Sequence, residues 1–238
     1  MFKKKIRFKN SRNLNLSAIF EGENRDAPVI VMCHGYNSSK DRPSTAGLAA
    51  RLVNKGLSVF RFDFTGNGES EGKLDDLTPS VGINDLKSAI KNLGKRQFGL
   101  YGKSFGGCVA LLYASQNSVL VLGLVAPVSD YLEVETIYQS VDKFTPKKKT
   151  NFLEEIKDIN IYKIAKNIKA PTLIVHGDKD PIVPLSQSKK LLKSLAGEKR
   201  LEILPGAGHV MSDEDIEKAS TLIADFLAKT LKVTRYHP

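Results

Sequence analysis

Ser104, His209 and the aspartates of the Asp178-Lys179-Asp180 loop are the residues whose types and order could carry out covalent chemistry in this chain. A serine hydroxyl is a poor nucleophile at neutral pH. It becomes effective when a base within hydrogen-bond reach takes its proton and a carboxylate orients that base. Ser104 lies in Gly102-Lys103-Ser104-Phe105-Gly106, after a short apolar run that starts at Phe98 and before an apolar, helix-competent segment that reaches Ala114. Strand, tight turn, then helix is the setting a G-x-S-x-G nucleophile elbow requires. Glycines at 102 and 106 let strand and helix approach closely around a strained serine. The start of the following helix offers backbone N–H groups to a developing negative charge, which is half of an oxyanion hole.

The same five-residue pattern recurs at Gly68-Glu69-Ser70-Glu71-Gly72. Here the sequel is Lys-Leu-Asp-Asp-Leu-Thr-Pro, which reads as loop, and the flanking glutamates would repel an oxyanion. Ser70 is therefore read as a loop residue. Of the four histidines, His237 is in the tail, and His34 and His176 each end an apolar run. His209 comes after Pro205-Gly-Ala-Gly, a loop before the last helix, and is the expected base. For the acid, Asp178 and Asp180 compete, with Asp130 at the preceding strand end as a third candidate. The chain order Ser, Asp, His matches the α/β-hydrolase arrangement. No ligand set with metal spacing accompanies His176-x-Asp178-x-Asp180, so no metal and no cofactor is expected.

The elements that must position these groups are set by periodicity. Residues 5–10 and 14–23 read as an antiparallel hairpin around Ser11-Arg12-Asn13. A fully buried strand is expected at Pro28–Cys33, and further strands at Leu57–Phe64, Phe98 onward, Val119–Val125, Pro171–Val175 and Arg200–Leu204. Helices are expected around Leu48–Val53, closed by Gly56, and from Thr78-Pro79 to Gly94. Further helices are expected after Ser104, over Leu185–Leu195, and from Ser212 with acids in its first turn. Strands alternating with helices predict an α/β domain with a mainly parallel, eight-stranded sheet and helices on both faces. Its ligands would gather at the carboxyl ends of the strands. The rhythm breaks over residues 129–169, where Val134–Val141 and Ile161–Ile168 have helical spacing around a Phe144–Thr150 loop. This segment is expected to be a small lid inserted into a core made of residues 1–128 and 170–238.

Composition adds bounds. The chain has 238 residues, 41% hydrophobic and 26% charged, with a formal net charge of +10. That is ample for one large core. No run reaches the ~18 apolar residues of a membrane span, and the basic N-terminus lacks the apolar stretch of a signal peptide. Two cysteines, Cys33 and Cys108, both sit in apolar surroundings, which favours a cytoplasmic protein without disulfides. The lysines are spread along the chain, with clusters at Lys3–Lys5 and Lys147–Lys149, and no nucleic-acid module accompanies them. No nucleic-acid partner is expected.

With His34-Gly35-Tyr36, Asp63-Phe-Thr-Gly66-Asn-Gly68-Glu-Ser70, the Ser104 elbow, His176-Gly-Asp-Lys-Asp180-Pro-Ile-Val-Pro184 and Gly208-His209, the chain resembles α/β-hydrolase serine hydrolases over nearly its whole length. Within that superfamily, His34 to Arg42 and the short lid resemble small-lid carboxylesterases of the cinnamoyl (feruloyl) esterase type. The resemblance implies Asp180 as the triad acid, backbone N–H groups of Tyr36 and Phe105 as the oxyanion hole, and Ser70 as part of a structural loop. It implies a cofactor-free hydrolase of short-chain or aromatic esters that works through an acyl-enzyme. Lysophospholipase, monoacylglycerol lipase or thioesterase activity on the same triad is the alternative, and a non-catalytic binding protein on this scaffold is an alternative of another class. Aromatics of the lid, Tyr131, Tyr138 and Phe144 foremost with Phe152 and Tyr162, would wall a compact pocket for a small-molecule ester.

Overall fold

The computed structural model describes residues 1–24, 26–94, 96–141 and 150–234, and only the backbone for 138–141, 150–151 and 232–234. Phe144, the Lys147–Lys149 cluster, His237 and the Tyr138 side chain lie outside what is described. One sheet of eight strands organises the chain, in the order β1-β2-β4-β3-β5-β6-β7-β8. β1 (Phe2–Lys9) and β2 (Asn15–Gly22) form the expected antiparallel hairpin, and β2 pairs antiparallel with β4 (Ser58–Phe62). From β4 through β3 (Val29–Cys33), β5 (Phe98–Lys103), β6 (Leu122–Val125), β7 (Thr172–Gly177) and β8 (Lys199–Leu204) every pairing is parallel.

The continuous apolar runs of the central strands exist because both faces of the sheet are covered. On β3, Val29, Val31 and Cys33 point into one hydrophobic core, while Ile30 and Met32 point into another. The second core is closed by α1 (Pro43–Asn54) and the long α8 (Asp213–Thr234), through Leu48, Leu52, Ile223 and Leu227. The first is closed by α2 (Pro79–Lys91), α3 (Phe105–Ala114) and α7 (Leu185–Ser194), with the segment that comes after β6. Buried on every side, α3 has no polar face at all. Cys33 and Cys108 are both buried and unpaired, as their apolar settings predict.

The punctuation read from the sequence works as local chemistry. The Thr78 hydroxyl caps α2 by accepting from Val81 N, and Pro79 occupies the first turn. Gly56 comes after α1 at φ 84°, a conformation only glycine adopts without strain. Two boundaries differ from expectation. β6 is shorter than Val119–Val125, beginning at Leu122. Among the described residues between 129 and 169 there are three helices rather than two: α4 (Tyr131–Val141), α5 (Thr150–Lys157) and α6 (Ile161–Ile164), which runs on into a 3₁₀ turn. Thr150, expected in the loop, opens α5. Phe152 and Ile156 of α5 are buried in the first core, a face four residues apart that is too short to stand out in the sequence.

Close packing makes two glycines behave oppositely. A Cβ on Gly106 would stand 2.2 Å from the Cys33 carbonyl oxygen and 2.5 Å from that of His34, whereas a Cβ on Gly47 in α1 meets nothing within 4 Å. Gly106→Ala is therefore expected to prevent stable folding or lower the melting temperature by more than ~10 °C, because backbone must move to accept it. Gly47→Ala should raise stability by up to ~1 kcal/mol. Thermal unfolding followed by circular dichroism checks both.

Candidate active site

β5 ends at Lys103 and α3 begins at Phe105, so the whole reversal of direction falls on Ser104, at φ 52° and ψ −116°. A non-glycine residue in this region is strained by ~1–3 kcal/mol. The strain is held by hydrogen bonds on both sides. Ser104 N donates to Val125 O at 3.0 Å, and Ser104 O accepts from Val128 N at 3.2 Å and from the first turn of α3. Gly102 lies against Gly106 and Gly107, where its own Cβ would be 2.5 Å from Gly106 O. The serine side chain is thereby presented above the sheet at the carboxyl end of β5.

His209 comes to it from the far edge of the sheet. After β8 the chain is fastened to the loop after β7: Asp178 Oδ1 accepts from Gly206 N at 2.7 Å and Lys179 N donates to Ala207 O at 3.0 Å. Gly177 packs on Ala207 too closely for any Cβ. His209 Nδ1–H donates to Asp180 Oδ2 at 2.7 Å, which leaves Nε2 as the acceptor for the Ser104 hydroxyl at 3.1 Å. A serine, an imidazole and a carboxylate thus form one continuous hydrogen-bonded chain.

Asp180 is held as firmly as it holds. Its Oδ1 accepts from Ile182 N at 2.9 Å and Val183 N at 2.8 Å, a local turn made by an aspartate before Pro181. His176, buried, sits 3.4 Å from Oδ2 and is fixed by Val183 O and the Ser188 hydroxyl. Burial alone would raise the Asp180 carboxyl, but hydrogen bonds from His176 and His209, the His209 charge and the Val183 amide together hold it well below the usual carboxylate range. Of the three candidate acids, Asp180 alone reaches His209. Asp178 ties the two loops together, and Asp130 accepts from Glu133 N at the start of α4.

Gly35 lies directly against the elbow, where a Cβ would be 3.7 Å from that of Ser104, so Tyr36 is carried alongside the nucleophile. The Tyr36 and Phe105 rings meet edge to face at 6.0 Å. His34, as its strand-end position implies, is structural: Nδ1–H donates to Gly35 O and Nε2 accepts from Phe64 N at 3.1 Å, while burial lowers its pKa. Ser70 is buried and committed to backbone, donating to Asp63 O at 2.7 Å and accepting from Ser17 N at 2.9 Å. Tyr131 is buried between Phe105 and Phe152, with ring centroids 6.4 and 5.5 Å away.

A cluster not singled out from the sequence anchors the Tyr36 loop. Lys40 is fully buried, and its ammonium donates to Asp63 Oδ2 at 2.9 Å, Glu69 Oε2 at 2.8 Å and Asp41 Oδ2 at 2.8 Å. Lys40 N donates to Asp63 Oδ1 at 2.6 Å, and Arg61 Nη1 donates to Lys40 O and Asp41. The hydrogen bond from Lys40, then that from Ser17, brings the Glu69 carboxyl down to about 2. The local signal, a lysine between two loops rich in aspartate and glutamate, could have pointed to it. Lys103, half-buried beside Ser104, is a second such residue: burial lowers its pKa and the Asp180 charge opposes this.

A family model described as the prolyl oligopeptidase family matches residues 48–234. The chain belongs to the prolyl oligopeptidase family. Its fold is that of an α/β-hydrolase. An uncharacterized protein of Mycobacterium tuberculosis is 29% identical over 185 residues, which is 76% of this chain; the match spans only 63% of that relative's length. The monoacylglycerol lipase ABHD6 of Homo sapiens is 25% identical over 282 residues, covering 94% of this chain and 82% of that protein. Among solved structures, Est1E from Butyrivibrio proteoclasticus with ferulic acid bound has a TM-score of 0.83 at 20% identity, covering 94% of this chain and 99% of that one. The Pyrococcus furiosus esterase Pf2001 has a TM-score of 0.78 at 21% identity, covering 97% and 91%. Here the parallel sheet brings the loops after β3, β5, β7 and β8 to one edge. Among the described residues no helix is long and apolar enough to cross a membrane, and no group of His, Cys, Asp or Glu could hold a metal ion.

Replacing Lys40 by Met would leave Asp63 buried without its counter-charge. Breaking a buried pair in this way costs about 3–5 kcal/mol. The urea midpoint of Lys40→Met should fall accordingly, and Lys40→Arg should recover part of the loss.

Proposed function

We propose that this protein is a serine carboxylic ester hydrolase that works through an acyl-enzyme, with Ser104 as nucleophile, His209 as general base and Asp180 as the orienting acid. The observation that carries the reading is the unbroken chain from Ser104 Oγ through both nitrogens of His209 to Asp180. As Ser104 Oγ attacks the ester carbonyl carbon, His209 Nε2 takes its proton. Asp180 stabilises the imidazolium and keeps Nε2 aimed at Oγ. Backbone N–H groups of Phe105, at the first turn of α3, and of Tyr36 hold the oxyanion. The imidazolium then protonates the leaving alcohol, and water activated by the same His209 releases the acid from Ser104. Asp180 suits this role because its carboxyl is held below the usual range and so stays ionised wherever the imidazole is neutral.

Residues 129–169 act in this reading as a small lid on the core of 1–128 and 170–238. With so short a segment over the site, short-chain and hydroxycinnamoyl esters fit best, with Tyr131 setting the floor of the acyl pocket through its packing on Phe105. Tyr138 and Phe144 are proposed as further walls. The likeness to the ferulic-acid-bound Est1E supports this preference. The match to monoacylglycerol lipase ABHD6 over 94% of the chain supports a second reading, hydrolysis of monoacylglycerols or lysophospholipids by the same triad.

Asp180→Asn is expected to lower kcat by roughly four orders of magnitude, since the imidazole loses its orienting carboxylate. Asp178→Asn should stay within about tenfold of the parent, because its amide oxygen can still accept from Gly206 N. Steady-state hydrolysis of p-nitrophenyl acetate decides between them, and a reversed ranking would shift the acid by two residues.

The substrate class is separated by a chain-length series. The primary reading predicts highest kcat/KM on p-nitrophenyl acetate and butyrate, a steep fall by laurate, and measurable release of acid from methyl ferulate. A maximum at laurate or longer, with turnover of monoacylglycerols, would replace it with the second reading.

A further inference from the structure

The mechanism leaves unused a block of unpaired positive charge. Lys163 on α6, Lys166 in the following turn, Lys169 before β7, and Lys189, Lys190 and Lys193 on α7 are all exposed. Among the described residues none of these six forms an ion pair. Lys190 alone has a ring partner, its ammonium 6.0 Å from the centre of Tyr162. From Ile161 to Leu195 the only acids are Asp178 and Asp180, one committed to Gly206 N and the other fully buried against His209. The surface that α6 and α7 share is therefore cationic, with Asp130 and Glu133 at the start of α4 the acids beside it, both engaged in hydrogen bonds. Charges packed this way repel one another, whereas several lysines elsewhere are paired, as at Lys3–Glu21, Lys55–Asp225 and Lys218–Glu214.

The amino end of this face, at the start of α7, lies beside the Asp180 loop, and exposed apolar side chains stand near it; Lys169 and Lys193 lie toward the amino end of β7. Gln187, in the first turn of α7, clamps the start of α4 by donating to Asp130 O and Glu133 Oε2 and accepting from Ser129 N and Asp130 N. Leu132, in that same turn of α4, is 48% exposed. Val210, next to His209, is 92% exposed, and His209 is bonded to the Asp180 loop that leads into α7. We propose that the α6–α7 face, with Leu132 and Val210 at its edge, is a docking surface for an anionic lipid bilayer.

The chemistry favours lipid over nucleic acid. The block contains lysine and no arginine between Ile161 and Leu195. Point charges on flexible stems suit a diffuse anionic headgroup layer, whereas nucleic-acid surfaces rely on arginine forks and stacking aromatics. Neighbouring apolar tips can enter the headgroup region, which a phosphate backbone does not reward. The docking does not depend on which ester is cleaved, and its test requires no turnover.

The 238-residue chain is sedimented with vesicles of phosphatidylglycerol and phosphatidylcholine, and with pure phosphatidylcholine vesicles, at physiological ionic strength. It should partition to the first and not the second. The triple variant Lys189→Glu, Lys190→Glu, Lys193→Glu should lose on the order of a hundredfold in partitioning. A control with the same change in net charge, Lys4→Glu, Lys91→Glu, Lys229→Glu on β1 and at the ends of α2 and α8, should lose less than about tenfold. Equal losses would reduce the effect to net charge and overturn the surface, as would absence of binding or preferential binding of polyuridylate. Because Cys33 and Cys108 are buried, Val210→Cys can carry a single environment-sensitive fluorophore. Its emission should shift to the blue on adding anionic vesicles; a bound protein with unchanged emission would overturn the orientation.

Discussion

The constraint on which the rest of the structure depends is the left-handed backbone at Ser104. An L-residue at φ 52° is unfavourable on its own, and it persists here because strand and helix are pressed together on either side of it. Gly102 and Gly106 allow the contact, Val125 and Val128 bind both backbone groups of the serine, and the carbonyls of Cys33 and His34 close in on Gly106. The strain presents the hydroxyl toward His209. The Gly35–Tyr36 loop and the His209 loop have meaning only relative to that fixed point.

Around it, the fold uses one device repeatedly: a side-chain acceptor collects backbone N–H groups from the loop at a strand's carboxyl end. Asp63 takes Lys40 N and Glu69 N, Asp85 takes Thr65 N, and Asp180 takes Ile182 N and Val183 N. Asp178 takes Gly206 N, and Gln187 takes Ser129 N and Asp130 N. Loops cannot satisfy these donors by sheet pairing, and each unsatisfied one would cost ~1–3 kcal/mol if buried. Fastening them to carboxylates satisfies the donors and fixes the loops at once. It also makes Asp180 serve two purposes, since the carboxylate that shapes its own turn is the one that aligns His209.

Much of this was legible in the residues because it is local. The two G-x-S-x-G stretches separate on their sequels: apolar and helical after Ser104, loop after Ser70, which proves to be buried in a turn with Asp63 and Ser17. His209 was legible from its glycine-rich approach and chain order. Asp178 and Asp180 were not separable on residue type, since both lie in one loop; only the Asx turn at Pro181 and the reach to His209 distinguish them. The Lys40 cluster was missed because all its partners except Asp41 lie 21 to 29 residues away, and no periodicity reports such pairing. The shortened β6 and the extra helix α5 were missed for the opposite reason: segments of a turn or two carry too little pattern, and tertiary packing decides them.

The central claim is that Ser104, and no other hydroxyl, is the activated nucleophile. Covalent labelling with a fluorophosphonate followed by peptide mass spectrometry measures this directly, because the reagent needs an activated serine but no knowledge of the substrate. The account predicts one adduct, on the peptide that carries Ser104, formed rapidly in the parent chain and slowed by orders of magnitude in His209→Ala. An adduct on Ser70, or no adduct on a folded chain, would contradict it.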